Sequence, residues 1–331
     1  MLITSKRNGV ITDQTLIQAN KKKIKTERNL GLFFTCVHNK NMSRYDFALE
    51  RRLKELSPDL HQRFADTVFA LQHILSNYKL IFPDFTDHTE LHSLNVIEFC
   101  NNIIGEQVDK LNADEIYCLL LGCYFHDTGM GISLKDFEEF SKQIDFGNYF
   151  DTHDKNNYPE IIRNFHNEYS GLFIRKYAQF FDFPTEAHLF AIIEISRGHR
   201  KTPLQDDNQY PSALSIPNSD NKICVRYLSA LIRLADEIDV TAARNSKIVY
   251  NINKITKEID LIEFMKHEAV QGLLIKENEF VMQISTDDEK IFKSLNIMCG
   301  KMQKTLDDCR SVVNEKTQYR ISQELVRIEN I

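Results

Sequence analysis

Apolar residues recur every three to four positions along most of this chain, the spacing of one face of an α-helix. The pattern predicts helices over Asp46 to Leu56 and over Leu60 to Leu80, the second carrying Phe64, Val68, Leu71, Ile74 and Leu75 on one side. Pro83 then breaks the helix. The loop Phe82-Pro83-Asp84-Phe85-Thr86-Asp87-His88-Thr89-Glu90 leads into a further helical run, Leu91 to Phe99. A helix from about Asp114 places Ile116, Leu119, Leu120 and Tyr124 inward and ends on His126-Asp127, followed closely by Gly129 and Gly131. Shorter or more polar helices follow at Leu134 to Ser141, Pro159 to Phe181 and Thr185 to Ser196, with a polar Asn- and Asp-rich loop over Asp145 to Tyr158. The helix Ile223 to Ile238 is strongly apolar yet carries Asp236, a carboxylate that is costly to bury without a cation.

The period changes only near the end. Gly272 to Ser285 alternates about a Glu277-Asn278 turn and predicts a β-hairpin. A long helix follows from Asp288 to about Val313, with Ile291, Leu295, Met298, Met302 and Leu306 on one stripe. The expected fold is therefore mainly α: a helical core with a small C-terminal β-hairpin and a long helix. The expected division is an N-terminal arm over 1–43, a core over 44–245 and a C-terminal α+β extension over 246–331. The stretch Lys201 to Asn221, with Pro203, Pro211 and Pro217, is long for a simple connection and reads as a lid or partner loop.

Composition narrows the function. With 331 residues, 42% of them hydrophobic, the chain can bury a large core. A net charge of −6 gives no general attraction to nucleic acid, so a nuclease is disfavoured. The basic run Lys21-Lys22-Lys23-Ile24-Lys25 reads either as a solvated helix face or as a contact for a phosphate-bearing partner. The seven cysteines form no CxxC pair and mostly sit in apolar runs, which suits small core residues in a reducing compartment. The N-terminus lacks a basic-then-apolar pattern and no run of about 18 apolar residues is present. We expect a cytoplasmic protein with no membrane contact.

The candidate chemistry is a set of histidines and aspartates near predicted helix ends: His92, His126, Asp127, His166, His199 and Asp236. Neighbouring helical side chains point about 100° apart, so His126 and Asp127 can converge on one metal only where the helix ends. His88 and His92 are four residues apart. They read either as a two-histidine pair or as His92 alone with His88 a capping or supporting group, and His92 alone is preferred because it lies inside the apolar run. His153 and His188 read as solvent-facing or capping residues. Arg197, Arg200, Lys201 and Arg233 are the cations nearest the candidate ligands, suited either to phosphate contact or to surface and ion-pair roles. Arg233 could pair with Asp236 or Asp239.

His92 in His-Ser-Leu-Asn-Val, His126-Asp127 in Phe-His-Asp-Thr-Gly-Met and Asp236 in Leu-Ile-Arg-Leu-Ala-Asp-Glu-Ile-Asp occur in one order. Over residues 80–245 the chain thereby resembles the HD superfamily of metal-dependent phosphohydrolases. The resemblance implies an all-helical core and a divalent metal centre (Mn, Mg, Fe, Co, Ni or Zn). It is similar to the two-metal members in having His166 and His199 between the His-Asp pair and the last Asp. It implies that Asp127 bridges two ions, with His92, His126 and Asp236 on one and His166 and His199 on the other. The implied activity is hydrolysis of a nucleotide or other small phosphoester at the metal-bridging Asp127; Arg197, Arg200 and Lys201, taken for their nearness in sequence to the ligands, are the further candidate catalytic groups. Thr128-Gly129-Met130-Gly131-Ile132 replaces the histidine-rich stretch of the deoxynucleotide triphosphohydrolase branch, and the Gly-Tyr-Pro signature of the cyclic-di-GMP branch is absent. The segment Tyr78 to Phe99 and the tail look most like HD proteins found with ATPases of the heat-shock-chaperone type, often in bacterial conflict systems. That likeness implies a protein partner or a homo-oligomer and a role in antiviral defence. A non-catalytic HD module that senses a nucleotide with a partner is the alternative.

Overall fold

The computed structural model describes residues 47–75, 81, 90–240 and 258–331. The N-terminal arm, the basic run and His88 lie outside the described residues. The fold is mainly helical, with a small C-terminal sheet.

The helix that ends on the His-Asp pair is the centre of the packing. In chain order the helices up to it are α1 (Ala48–Leu56), α2 (Pro58–Leu75), α3 (Glu90–Ile104) and α4 (Ala113–Phe125). Every residue of α4 from Glu115 to Phe125 is buried, as expected of a helix apolar on all sides. It packs against α1, α2 and α3, and also against α7 (Glu186–Gly198) and α8 (Val225–Ile238). Its start is set by a capping box: Asn112 Oδ1 accepts from Glu115 N at 3.0 Å, and Glu115 Oε2 accepts from Asn112 N at 3.2 Å. The same buried Glu115 carboxylate also accepts from Cys224 N at 3.1 Å and from the Tyr319 hydroxyl at 2.7 Å. One side chain thus joins the starts of α4 and α8 to the C-terminal tail.

Between α4 and α8 lie α5 (Leu134–Phe140), α6 (Tyr158–Tyr177) and α7. Helix α6 is kinked at Phe165 (φ −121°, ψ 16°), one residue before His166. It packs on the 3-10 turn Thr128–Gly131 that follows the His-Asp pair. The segment 201–221 contains the short antiparallel pair β1 (Leu214–Ser215) and β2 (Lys222–Ile223). It is fastened to the core. The fully buried Arg226 donates to the carbonyls of Leu204 and Gln205 and to Ser212, and pairs with Asp207.

At the C-terminus, α9 (Glu258–Ala269) leads into β3 (Val270–Ile275) and β4 (Glu279–Ile284), an antiparallel hairpin with Leu273 opposite Met282. Helix α10 (Glu289–Lys316) then crosses back, and β5 (Leu325–Asn330) pairs parallel to β4 with Val326 opposite Phe280. The hairpin and the long helix match the expectation from the sequence, whereas α9 and β5 carry no clear periodic signal. The expected stripe Ile291, Leu295, Met298, Met302 and Leu306 is buried, and α10 packs along α8. Among the described residues, six cysteines are free and five of them buried, in keeping with core roles. Among the described residues no helix is long and apolar enough to cross a membrane.

Candidate metal centre

Helix α4 ends at Phe125, and Asp127 leaves helical geometry (φ −103°, ψ 6°). That departure turns the two neighbouring side chains toward one point, which a continuing helix forbids. The turn is held from α6: Ser170 Oγ donates to the His126 carbonyl at 2.6 Å and accepts from Gly129 N at 2.8 Å. The approach is close enough that a Cβ on Gly129 would stand 2.1 Å from the His166 carbonyl oxygen. Glycine is therefore the residue that lets α6, and with it His166, reach the pair.

Six side chains from five places in the chain meet here. Nε2 of His92 lies 3.4 Å from Asp127 Oδ2 and 3.1 Å from Asp236 Oδ1. Nε2 of His126 lies 3.4 Å from Asp127 Oδ2 and 3.9 Å from Asp236 Oδ1. On the opposite side, Asp127 Oδ1 is 3.3 Å from His166 Nε2 and 3.9 Å from His199 Nε2. The Asp127 carboxylate thus faces one pair of histidines with each oxygen. Two buried triads that can hold an ion share it: His92, His126 and Asp127, and Asp127, His166 and His199.

The donor chemistry suits a cation. Nδ1 of His126 donates to the Cys123 carbonyl at 2.8 Å, Nδ1 of His166 to the Arg163 carbonyl at 2.8 Å, and Nδ1 of His199 to the Ser196 carbonyl. Nδ1 of His92 donates to Asp239 Oδ2 at 2.7 Å. With the proton on Nδ1, each neutral ring turns an Nε2 lone pair inward. His92 and His126 bring these nitrogens to 3.1 Å, and His166 and His199 bring theirs to 2.8 Å. Facing lone pairs repel unless a positive charge lies near both. A shared proton does not suit this place, because burial, and then the neighbouring His166 and His126, push His199 well below its ordinary pKa. Ligand bonds of about 2.0–2.2 Å at right or tetrahedral angles require donor spacings of roughly 2.8–3.6 Å, close to those found. Buried imidazole and carboxylate groups of this kind can hold divalent metal ions.

The cations divide differently. Arg197 is taken up by two carboxylates: its guanidinium reaches Glu168 at 2.7 Å and both oxygens of Glu194 at 3.0 Å. Arg200 and Lys201, just past His199, are exposed. Arg233 pairs with neither Asp236 nor Asp239. It donates to the Gly198 carbonyl at 2.8 Å and to the Thr202 carbonyl at 2.9 Å, bracketing the turn that carries His199. His153 is exposed and stacks on Tyr149, and His188 donates from Nε2 to Asp114, so both stand apart from the cluster.

Asp239 is the group that sequence reasoning passed over as a site residue. Its signal is modest: a carboxylate three residues after Asp236, at the end of α8. Only the folded chain brings it to His92.

No curated protein and no solved structure matches the chain. The family model HD-CE matches residues 82–313, which includes all six clustered residues and most of α10. An HD-type domain with shared His/Asp triads is compatible with phosphohydrolase chemistry, and by the extent of that match the chain belongs to the HD-CE family.

Proposed function

We propose that this protein is a divalent-metal-dependent phosphohydrolase acting on a nucleotide or related small phosphoester in the cytoplasm. The observation that carries the reading is the Asp127 carboxylate, with one oxygen toward His92 and His126 and the other toward His166 and His199. In this reading Asp127 would be a ligand shared by two ions. His92, His126 and Asp236 would hold one ion, and His166 and His199 the other. When bound, divalent ions supply Lewis-acid polarisation of phosphoryl oxygens and acidify water from a pKa of about 15.7 toward about 7. Mixed imidazole and carboxylate ligands suit several divalent metals, and the candidates are Mn, Mg, Fe, Co, Ni and Zn.

The chain's own groups do the rest. Asp239 holds the proton on His92 Nδ1 and so directs Nε2 inward. Arg233 fixes the backbone on either side of His199. Arg197, Arg200 and Lys201 supply positive charge for the phosphate. Arg197 shares its charge with Glu168 and Glu194, so the exposed pair carries more of that role.

The test is phosphate release from a panel of nucleotides and simple phosphoesters with Mn, Mg, Co or Ni added, alongside the metal content of the purified protein. Metal-dependent release that is lost in Asp127→Ala supports the reading. A metal-loaded protein that releases no phosphate from any of them overturns it.

A second reading, a nucleotide-sensing module in antiviral defence, draws on Arg197. With that guanidinium occupied by two carboxylates, fewer cations remain to offset transition-state charge. Its partner would be a heat-shock-chaperone-type ATPase, another conflict-system component or a second copy of the chain. It predicts tight binding of one nucleotide without turnover.

A further inference from the structure

We infer that the outer edge of strand β3 pairs with the same edge of a second copy of this chain, antiparallel about a two-fold axis at Leu273, so that one sheet runs through a dimer.

The ladder fixes which backbone groups are left over. The hairpin closes with Lys276 N donating to Glu279 O at 2.9 Å, and Leu274 then lies opposite Val281 and Gly272 opposite Gln283. Hydrogen-bonded pairs alternate along an antiparallel ladder, so Gly272, Leu274 and Lys276 turn their N–H and C=O groups toward β4. Leu273 and Ile275 turn theirs the other way, and β3 is the outer strand of the order β3-β4-β5. Among the described residues no hydrogen bond reaches those outward groups.

The two edges of the sheet are built differently. On β5, Val326 N donates to Gln303 Oε1 at 2.7 Å and Val326 O accepts from Cys299 Sγ at 3.4 Å, so α10 covers part of that edge. The same strand carries Arg327 and Glu329, and charged side chains discourage a further strand. Strand β3 reads Val-Gln-Gly-Leu-Leu-Ile, with no charge and no proline. Pairing two copies of it brings no like charges together.

Gly272 points to what covers the edge. Glycine weakens a strand, and inside one it marks a bulge or the close approach of another chain. The ladder shifts between Val270 and Gly272, yet Gly272 has no positive φ, so the bulge does not demand glycine. Packing within the chain does not demand it either, because a Cβ there would meet only Gln283 Oε1, at 3.9 Å. A two-fold axis at Leu273 supplies the reason. It sets Leu273 against Leu273 of the second copy, exchanging two backbone hydrogen bonds. Leu274 then faces Gly272 of the second copy in a non-hydrogen-bonded pair, the kind in which Cα atoms stand only about 4.5 Å apart. Leu274 is 42% exposed in the single chain, and the absent glycine side chain leaves it room. The symmetry repeats the contact, so one strand provides both the knob and the recess.

Sedimentation equilibrium of the full chain across micromolar concentrations tests the pairing, with circular dichroism to confirm that each variant is folded. The wild type should dimerise. Leu274→Lys changes an exposed side chain in both copies, and at about tenfold for each copy it should raise the dimer dissociation constant about a hundredfold. Gly272→Val fills the recess and should weaken the dimer by at least about tenfold while the single chain melts no lower than the wild type. Leu325→Lys, at a 49% exposed position on β5, is the control and should leave the constant within about twofold. A wild type that stays monomeric, a dimer that survives Leu274→Lys or Gly272→Val, or one lost equally in Leu325→Lys overturns the inference.

Discussion

Nδ1 of His92 donates to Oδ2 of Asp239 at 2.7 Å, with both side chains fully buried. A carboxylate in that position fixes the tautomer, orients the ring and raises the basicity of the inward nitrogen. Asp239→Asn keeps the shape and removes the charge. Its metal affinity should fall by about 10- to 100-fold, measured by competition with a chelating dye. Unchanged affinity would remove Asp239 from the centre.

Metal should stabilise the folded chain. An ion that binds only the native state at one hundred times its dissociation constant adds about 2.7 kcal/mol. Thermal melting with and without Mn should therefore shift upward in the wild type. The double variant His126→Ala with Asp127→Ala should show no shift, because it removes Asp127, which the two triads share, together with His126. A double variant that melts with the wild-type metal shift and stoichiometry would refute the assignment.

The two halves of the cluster should separate by mutation. His199→Ala removes a donor from the side of Asp127 Oδ1 and leaves His92, His126 and Asp236 untouched. We expect the bound metal to fall from two ions to one, and turnover to fall by orders of magnitude, because the loss falls on transition-state charge. Elemental analysis of the variant checks the first outcome and single-turnover kinetics the second. Loss of both ions together would show one cooperative site.

Two glycines should respond in opposite directions to alanine. At Gly129 the added Cβ meets the His166 carbonyl oxygen at 2.1 Å. The backbone of α6 must shift, at a cost of about 3 kcal/mol, with weaker metal binding as His166 moves away. At Gly300, exposed in the middle of α10, nothing lies within 4 Å of the added atom. That substitution should stabilise the protein by roughly 0.5–1 kcal/mol through lower chain entropy. Urea denaturation of both variants measures the contrast.

Acid should loosen the junction between α4 and α7. Burial alone would raise the Asp114 carboxyl, but hydrogen bonds from His188 and Asn221, each 2.8 Å, and the charge of His188 hold it below its ordinary value of 3.8. A carboxyl depressed in the fold contributes stability that is full above its unfolded pKa and is lost as pH falls through the folded one. The stability gap between wild type and Asp114→Asn should therefore narrow from about pH 5 downward. A gap that stays constant from about pH 6 to about pH 3 would contradict the pairing.

The helical class, the buried stripe of α10, the β3–β4 hairpin and the six residues of the cluster were all legible in the linear pattern. Periodicity is a local property, and a histidine or aspartate at the end of an apolar helix stands out where burial without a partner is costly. Partner choice is not local. Asp239 and His92 are 147 residues apart, and nothing near Asp239 distinguishes it from any polar helix end. Arg197 beside His199 reads as a phosphate contact until the fold brings Glu168 and Glu194 to it, and Arg233 reads as an ion-pair donor until the carbonyls of Gly198 and Thr202 arrive. Strand β5 alternates too weakly to be seen and exists because β4 offers it a parallel edge. The sequence by itself determined which residue types could form a metal centre and on which helices they ride. The tertiary structure alone decided which oxygen of Asp127 faces which histidines and which cations are already engaged, because those outcomes depend on hydrogen bonds and charges between segments that only packing brings together.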